Sequence, residues 1–298
     1  MSGASGFQQW HVGDVTITCV PEIVLPVPAP VMVAELTPDS IGRDAEWLIP
    51  RYVTADVEIL VAIQSMCIED GARRIVVDTC FGDLKQLPYE GLPRMGRGYL
   101  ERIAAAGFER TVVDTVLCTH LHLDHIGWNT MKPAEDSDNL DAEWVPTFPN
   151  ARYLFGDADL THWLEHDGEG HTDLSESVRP ILAAGLCDRV DMNAKISESV
   201  RLVPTPGHTP GHCSVLIESA GERAMISGDM FHHPMQIAHP EWPSVPDNDP
   251  VTAVATRARM LPQIADDGVL LIGTHFNVPS AGHVDRSGDG WSWRPLVL

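Results

Sequence analysis

The 298-residue chain reads as a mixed α/β protein. Three observations predict this. Short apolar, β-branched runs recur along the sequence, as at residues 57–68 and 112–118, the pattern of buried strands. Longer segments with apolar residues three and four apart lie between them, as at residues 250–265, the pattern of an amphipathic helix. Strands outnumber helices, and the helices fall between strand clusters, which suits sheets covered by helices.

Residues 15–20 read as the first strand. Residues 21–50 carry Pro21, Pro26, Pro28, Pro30, Pro38 and Pro50. Proline lacks a backbone donor and interrupts regular structure, so an irregular N-terminal arm is expected there. Its apolar stretch, residues 23–33, is too broken for a helix. The arm either hugs the core as a surface loop, or covers a pocket or a partner subunit. Residues 57–68 and 73–78 read as strands joined at Asp70-Gly71, a hairpin signal. A short helix follows at 99–106 and a strand at 112–118. Residues 159–165 and 174–184 look helical. Residues 201–203, 213–218 and 224–227 read as strands of a second half, followed by the helix at 250–265 and a last strand at 269–272. The whole of residues 1–298 reads as one domain, without low-complexity segments.

The strand at 112–118 leads into Thr119-His120-Leu121-His122-Leu123-Asp124-His125-Ile126-Gly127. In extended backbone, residues two apart point to the same side, so His120 and His122 can reach one metal ion. A turn after them would bring Asp124 and His125 to a second. Nitrogen and oxygen donors suit a borderline divalent metal such as zinc. Three further donors each follow a predicted strand or sit in a Gly/Pro-rich loop: His208 in Pro206-Gly207-His208-Thr209-Pro210-Gly211-His212, Asp229 in Ser227-Gly228-Asp229, and His275 in Gly273-Thr274-His275. One isolated histidine fits a buried, hydrogen-bonded side chain; this ordered set does not. A structural zinc site would favour four closed ligands, often cysteines.

The order His120-x-His122-x-Asp124-His125, then His208, Asp229 and His275, resembles the metal signature of the metallo-β-lactamase superfamily. Asp78, in Val76-Val77-Asp78-Thr79-Cys80, resembles that family's early Asp-Thr-Gly strand end, with Cys80 where glycine is usual. The resemblance runs from Asp78 to His275. It implies a four-layer αββα sandwich and two zinc ions, with other divalent metals as alternatives. By the same resemblance His120, His122 and His208 hold the first ion, Asp124, His125 and His275 the second, and Asp229 bridges them. Two close cations acidify a shared water and clamp a developing oxyanion, so Asp229 and Asp124 are catalytic candidates and no Ser or Cys nucleophile is required. Ligating imidazoles need an outer acceptor to orient them, and Asp78 either supplies one or caps a turn. The resemblance favours His208 over His212 as the ligand. His232 stands three after Asp229, where quorum-signal lactonases of the superfamily commonly carry a substrate-contacting Tyr. It is expected either to donate a proton to substrate or to be a plain loop histidine. His233, its neighbour, points elsewhere.

Asp229 disfavours the true zinc β-lactamases, and no sequence remains for the flavodoxin domain of flavodiiron reductases. Glyoxalase II-like thioesterases carry a basic C-terminal surface, whereas residues 281–298 offer only Arg286 and Arg294. The segment from Gly228 to Gln236, with Asp247-Asn248-Asp249-Pro250 following, looks like the methyl parathion hydrolase and N-acyl-homoserine lactonase group. The resemblance therefore implies a dinuclear-zinc hydrolase that opens a lactone or cleaves a neutral ester with a metal-bound hydroxide. An organophosphate triesterase of the methyl parathion hydrolase type is the alternative, and a mononuclear-iron dioxygenase a further one. Trp128, Trp242, Phe231, Phe276, Met230 and Met235 are the candidates for an apolar pocket, with two or three expected to line it.

Composition narrows the partners. There are 42 acidic and 20 basic residues, a formal net charge of −22, which excludes a phosphate-backbone partner needing Lys/Arg neutralisation. Hydrophobic residues at 44% allow a sizeable core. Cys19, Cys67, Cys80, Cys118, Cys187 and Cys213 have no CxxC spacing and read as small hydrophobes without a disulfide framework. Residues 1–12 show no leader pattern and no apolar run reaches spanning length, so a cytoplasmic protein with no membrane contact is expected. The apolar residues of the arm, among them Ile23, Leu25, Val31 and Met32, lead to the expectation of a homodimer.

Overall fold

The computed structural model describes residues 6–88, 92–133, 139–168 and 173–296. The expectation of no leader rests partly on residues 1–5, which lie outside these, as do the last two residues of the C-terminal surface. The first half of the chain supplies β1 (Gln8–Val12), β2 (Val15–Pro28), β3 (Glu58–Asp70), β4 (Arg73–Val77), β5 (Thr115–Leu117), a two-strand ribbon of β6 (Thr130–Met131) and β7 (Val145–Pro146), then β8 (Arg152–Gly156) and β9 (Cys187–Val190). The second half supplies β10 (Val200–Pro204), β11 (Cys213–Ser219), β12 (Glu222–Ile226), β13 (Leu270–Ile272), β14 (Ala281–Ser287) and β15 (Gly290–Pro295). One sheet has the order β1-β2-β3-β4-β5-β8-β9 and the other β10-β11-β12-β13-β14-β15.

The alternation of the strands explains how the sheets stack. Val15, Ile17 and Cys19 of β2, Ile75 and Val77 of β4, Val215 and Ile217 of β11, and Ala224 and Ile226 of β12 share one buried cluster between the sheets. Successive side chains of a strand point to opposite faces, so the intervening residues face outward. There Val76, Val116 and Tyr153 join Tyr99 and Ile103 of the helix Gly98–Ala105, and Met225 and Leu271 join Met260, Leu261 and Ile264 of the helix Pro250–Asp266. Each fully buried aliphatic side chain stabilises this arrangement by roughly 1.5–3 kcal/mol. The result is the expected helix–sheet–sheet–helix order.

Local corrections have simple causes. The stretch at 21–28 is strand, not irregular arm: β2 continues to Pro28 against β3, with a bulge between Pro21 and Ile23. β1 pairs with β2 only as far as Cys19, so the rest of β2 is a sheet edge, where a missing proline N–H costs no ladder bond. Ile23, Leu25 and Val27 are half-buried while Val24, Pro26 and Pro28 are exposed. Residues 29–48 form short helices, Ala29–Met32, Pro38–Ile41 and Ala45–Leu48, with Pro30 and Pro38 in first turns, where proline is tolerated. The helix expected at 174–184 is only Arg179–Ala183, because Pro180 can sit only in a first turn.

Parallel pairings set the position of the functional end. β4, β5, β8 and β9 run parallel, as do β12 and β13, so their carboxyl ends emerge on one rim of the sandwich. Among the described residues, no helix is long and apolar enough to cross a membrane.

Candidate metal centre

The rim is assembled from chain ends that leave these strands. After β5, Thr119 donates its N–H to Asp78 Oδ1 at 2.8 Å and its hydroxyl to the same carboxylate. Asp78 ends β4 in the left-handed region, φ +57°, with Cys80 at φ +53°. Cys80 thus occupies a backbone conformation that favours glycine, the residue usual there. Asp78 Oδ2 lies 2.9 Å from His125 Nδ1, so it orients a donor ring and is not merely a turn cap. The chain bends at Thr119 and His120, is extended at His122, and then enters the single helical turn Leu123–Ile126, which swings Asp124 and His125 round.

Asp159 escaped the sequence reading. It is fully buried on the helix Asp157–Glu165, and its carboxylate accepts the N–H of Leu121 at 2.9 Å and of Gly211 at 3.1 Å. It therefore ties the His120/His122 segment to the His208 loop. Gly211 is required there, since a Cβ would meet the Asp159 backbone at 2.2 Å. The available signal was a carboxylate within a buried Asp159-Leu160-Trp163 stripe.

The seven expected donors come together. His208 Nε2 is 2.8 Å from His122 Nδ1 and 3.2 Å from Asp229 Oδ2, and His120 Nε2 is 3.7 Å from that same oxygen. Asp229 Oδ1 is 3.3 Å from His125 Nε2 and 3.1 Å from His275 Nε2, and Asp124 Oδ2 is 3.6 Å and 3.5 Å from those rings. His275 Nε2 also lies 3.2 Å from Asp229 Oδ2, so the Asp229 carboxylate stands between the two donor groups. Ligands of a tetrahedral zinc ion at its usual bond lengths stand about 3.3 Å apart, close to these separations. His120 Nε2, His125 Nε2 and Asp229 Oδ1 are buried with no hydrogen-bond partner. Orphaned buried polar atoms are costly, and cations bound between these two donor groups would satisfy all three. The donor set therefore fits a pair of divalent metals.

Outer partners aim the rings. His208 Nδ1 faces Asp247 Oδ1 at 3.0 Å, and His275 Nδ1 donates to the Ala62 carbonyl at 2.9 Å. His212 is excluded from the donor set: its Nδ1 faces the Thr205 carbonyl at 3.0 Å and its Nε2 accepts the Asp229 N–H at 2.8 Å. Burial pushes His212 down to about 3 and keeps it neutral. Burial also opposes charge on His208, yet Asp229 and Asp247 carry it up to about 9. Burial disfavours ionised Asp229, but His125, His275, His232 and His120 hold it well below the usual carboxylate range.

Above the donors lies a cavity of about 190 Å³. Asp124, His208, Asp229, His232 and His275 form part of its floor; Leu25, Val27, Met32, Ile63, Phe81 and Leu92 build its walls, and among the described residues no Lys or Arg lines it. The six residues expected to supply the pocket do not line it. Trp128 stacks on Tyr99 at 5.5 Å and Phe276 packs edge-on against Trp293, while Phe231, Met230 and Met235 are core residues. The wall comes instead from β2 and the short helix after it, together with Ile63 of β3 and the loop residues Phe81 and Leu92, so the 21–50 segment covers one side of the pocket. His232 is no exposed loop residue: it is buried, with Nε2 3.2 Å from Asp229 Oδ2. His233 turns away toward Tyr52.

This architecture is the metallo-β-lactamase fold, and the model of the metallo-beta-lactamase superfamily matches residues 60–131. Among solved structures, the chain is similar to the hydrolase AbOPH of the beta-lactamase superfamily, with 22% identity, a TM-score of 0.81 and 99% of both chains covered. It is similar to AidC, described as a dizinc quorum-quenching lactonase, with 20% identity, a TM-score of 0.78 and 98% of both chains covered. A probable metal-dependent hydrolase of Staphylococcus aureus aligns at 16% identity and a TM-score of 0.71, over 97% of this chain and 100% of that one. The resemblance read from the donor motif holds.

Proposed function

We propose that the protein is a dinuclear-metal hydrolase that opens a lactone or cleaves a neutral ester. One observation carries this: the donor cluster forms the floor of an apolar cavity that, among the described residues, has no Lys or Arg in its lining. An anionic phosphate or carboxylate substrate would find no partner on these walls, whereas a neutral carbonyl compound meets apolar surface and a polar floor. AidC, a lactonase of the same fold, supports the lactone.

His120, His122 and His208 would hold one ion, Asp124, His125 and His275 the other, and Asp229 would be shared; zinc suits these donors. When bound, such a pair supplies a nucleophilic water near neutral pH and Lewis-acid polarisation of a carbonyl. Asp124 is the least buried carboxylate of the set, with its side chain 18% exposed at the cavity floor, and is placed to take a proton from the reacting centre. His232 presents Nε2 to the same space and is placed to donate to the carbonyl or leaving oxygen. The apolar wall excludes water and receives the acyl part.

A panel of lactones, aryl esters and organophosphates on metal-replete protein tests the reading. Lactones or neutral esters are expected to turn over fastest. Phosphotriesters turning over fastest, or activity with a single stoichiometric iron, would replace it with the other readings. A homodimer and a cytoplasmic setting belong to the same proposal. Val24 and Val31, 39% and 58% exposed on the 21–50 segment, are the contact we assign to the dimer, and light scattering giving a mass near the 32.6 kDa of one chain would remove it.

A further inference from the structure

We infer that Gln236 and Ser244 lock His232 in the tautomer with its proton on Nε2, which makes it a hydrogen-bond donor and bars it from ligating a metal. The ring's position alone allows either role. A ring nitrogen of His232 is near enough to Asp229 and His275, and one to His208 and Asp247, to complete a donor group with either pair. A neutral imidazole ligates through a lone pair and donates through an N–H, and what the other nitrogen faces decides which.

His232 Nδ1 lies 2.8 Å from Ser244 Oγ. A hydroxyl can donate or accept, so the decision passes to Gln236. Its Oε1 receives the backbone N–H groups of His232 at 2.8 Å and His233 at 3.3 Å, which fixes that end as the carbonyl. Its other end is therefore the NH2 group. That group donates to the Trp242 carbonyl at 3.1 Å, which can only accept, and to Ser244 Oγ at 2.9 Å. Ser244 Oγ accordingly accepts from Gln236, and its own proton goes to its remaining partner, His232 Nδ1. An Nδ1 that accepts is unprotonated, so the ring carries its proton on Nε2.

His120 provides a contrast within the same site. Its Nδ1 also faces a hydroxyl, Thr119 Oγ1 at 3.1 Å. That hydroxyl is backed by the Asp78 carboxylate at 2.9 Å, which only accepts. Thr119 therefore donates away from the ring and accepts the Nδ1 proton, leaving His120 Nε2 with a lone pair for a metal. His125, His208 and His275 also place Nδ1 against carboxylate or carbonyl oxygens. His232 is the exception among these rings because an amide NH2, not a carboxylate, stands behind its hydroxyl.

The inference rests on the proposed function only for its catalytic consequence; the tautomer can be read without activity. In zinc-loaded protein with 15N-labelled histidine, long-range 1H–15N correlation is expected to show His232 protonated on Nε2, with its signals assigned by their loss in His232→Ala. A ring protonated on Nδ1, or bound to zinc through Nε2, overturns the inference. Ser244→Ala should give a mixture of tautomers at unchanged zinc content and lower kcat/KM for the best lactone by about tenfold, the worth of one oriented hydrogen bond. Ser244→Thr, which keeps the hydroxyl, should recover most of that loss. Adding Ser244→Ala to His232→Ala should cost nothing further, because the relay acts only through the ring; additive losses would show a packing role and sink it. If the tautomer is as stated but no lactone or ester is hydrolysed, the proposed function fails and the tautomer assignment stands.

Discussion

The two ends of the sandwich are built on opposite plans. At one end the strands are joined by two-residue turns: Gly13-Asp14 between β1 and β2, Gly71-Ala72 between β3 and β4, Ala220-Gly221 between β11 and β12, and Gly288-Asp289 between β14 and β15. Gly13, Gly71, Gly221 and Gly288 all have positive φ, which such hairpins demand. At the other end every connection is long, and the donors, the cavity wall and the left-handed Asp78 and Cys80 all lie there. Short turns fix register and carry no chemistry. Long connections can bring side chains from both sheets to one point, but their geometry must then be held by polar contacts such as those of Asp78, Asp159 and Asp247. The difference teaches where disruption should appear: as lost chemistry at one end and as lost stability alone at the other.

The largest contrast is expected at Asp229. Asp229→Asn keeps the shape but removes the charge facing both donor groups, and should lower lactone turnover by roughly 10³-fold while reducing metal content at one site. Near-normal turnover with full metal loading would contradict the shared role. Next is Asp159→Asn. An amide can accept only one of the Leu121 and Gly211 N–H groups, so the two donor segments should loosen and metal affinity fall by about 10- to 100-fold. Competition with a chelator measures it, and unchanged affinity would show that the clamp is dispensable.

Glu22 tests how the wall is held. Its carboxylate accepts Trp128 Nε1–H at 2.5 Å and the Phe81 N–H at 2.9 Å, and Phe81 lines the cavity. Burial pushes Glu22 up to about 7, against those donors and nearby Arg102. Between the ordinary carboxyl value and about 7 the folded state holds more protons than the unfolded one. Stability should therefore fall as pH rises across that window, by roughly 3 kcal/mol, and level off above it. Urea midpoints of Glu22→Gln against the parent should lose this slope; a slope that persists assigns it elsewhere. The smallest effect is expected at the turn end. Gly71 has φ +60° with open space around its Cβ position, so Gly71→Ala should cost about 1 kcal/mol from backbone conformation alone. Metal content and turnover should be unchanged, and any loss of either would break the separation of the two ends.

Much of the candidate site was legible in the sequence because residues able to hold a metal are few types at strict spacing. His120, His122, Asp124 and His125 announce themselves, and strand ends before Asp229 and His275 place the rest. The pocket wall was not legible. Its residues are common aliphatics, and the prolines of 21–28 masked a strand that only an edge position tolerates. Strands such as β8 and β15 escaped because Arg152 and Arg294 sit within short runs whose burial comes from their neighbours, not their own composition. Asp159, Ser244 and Gln236 were invisible because their roles depend on atoms brought from distant segments.

The edge course of β2 bears on how such a protein diversifies. Leu25 and Val27 face the cavity from the part of β2 beyond Cys19, which is bonded on one side only, and Met32 follows on a single helical turn. No donor ring rests its outer nitrogen on any of the three. Substitution along this stretch can therefore reshape which acyl groups fit while the reaction chemistry is inherited intact, so related chains should drift in preference here first and leave the rim of histidines and carboxylates as it is.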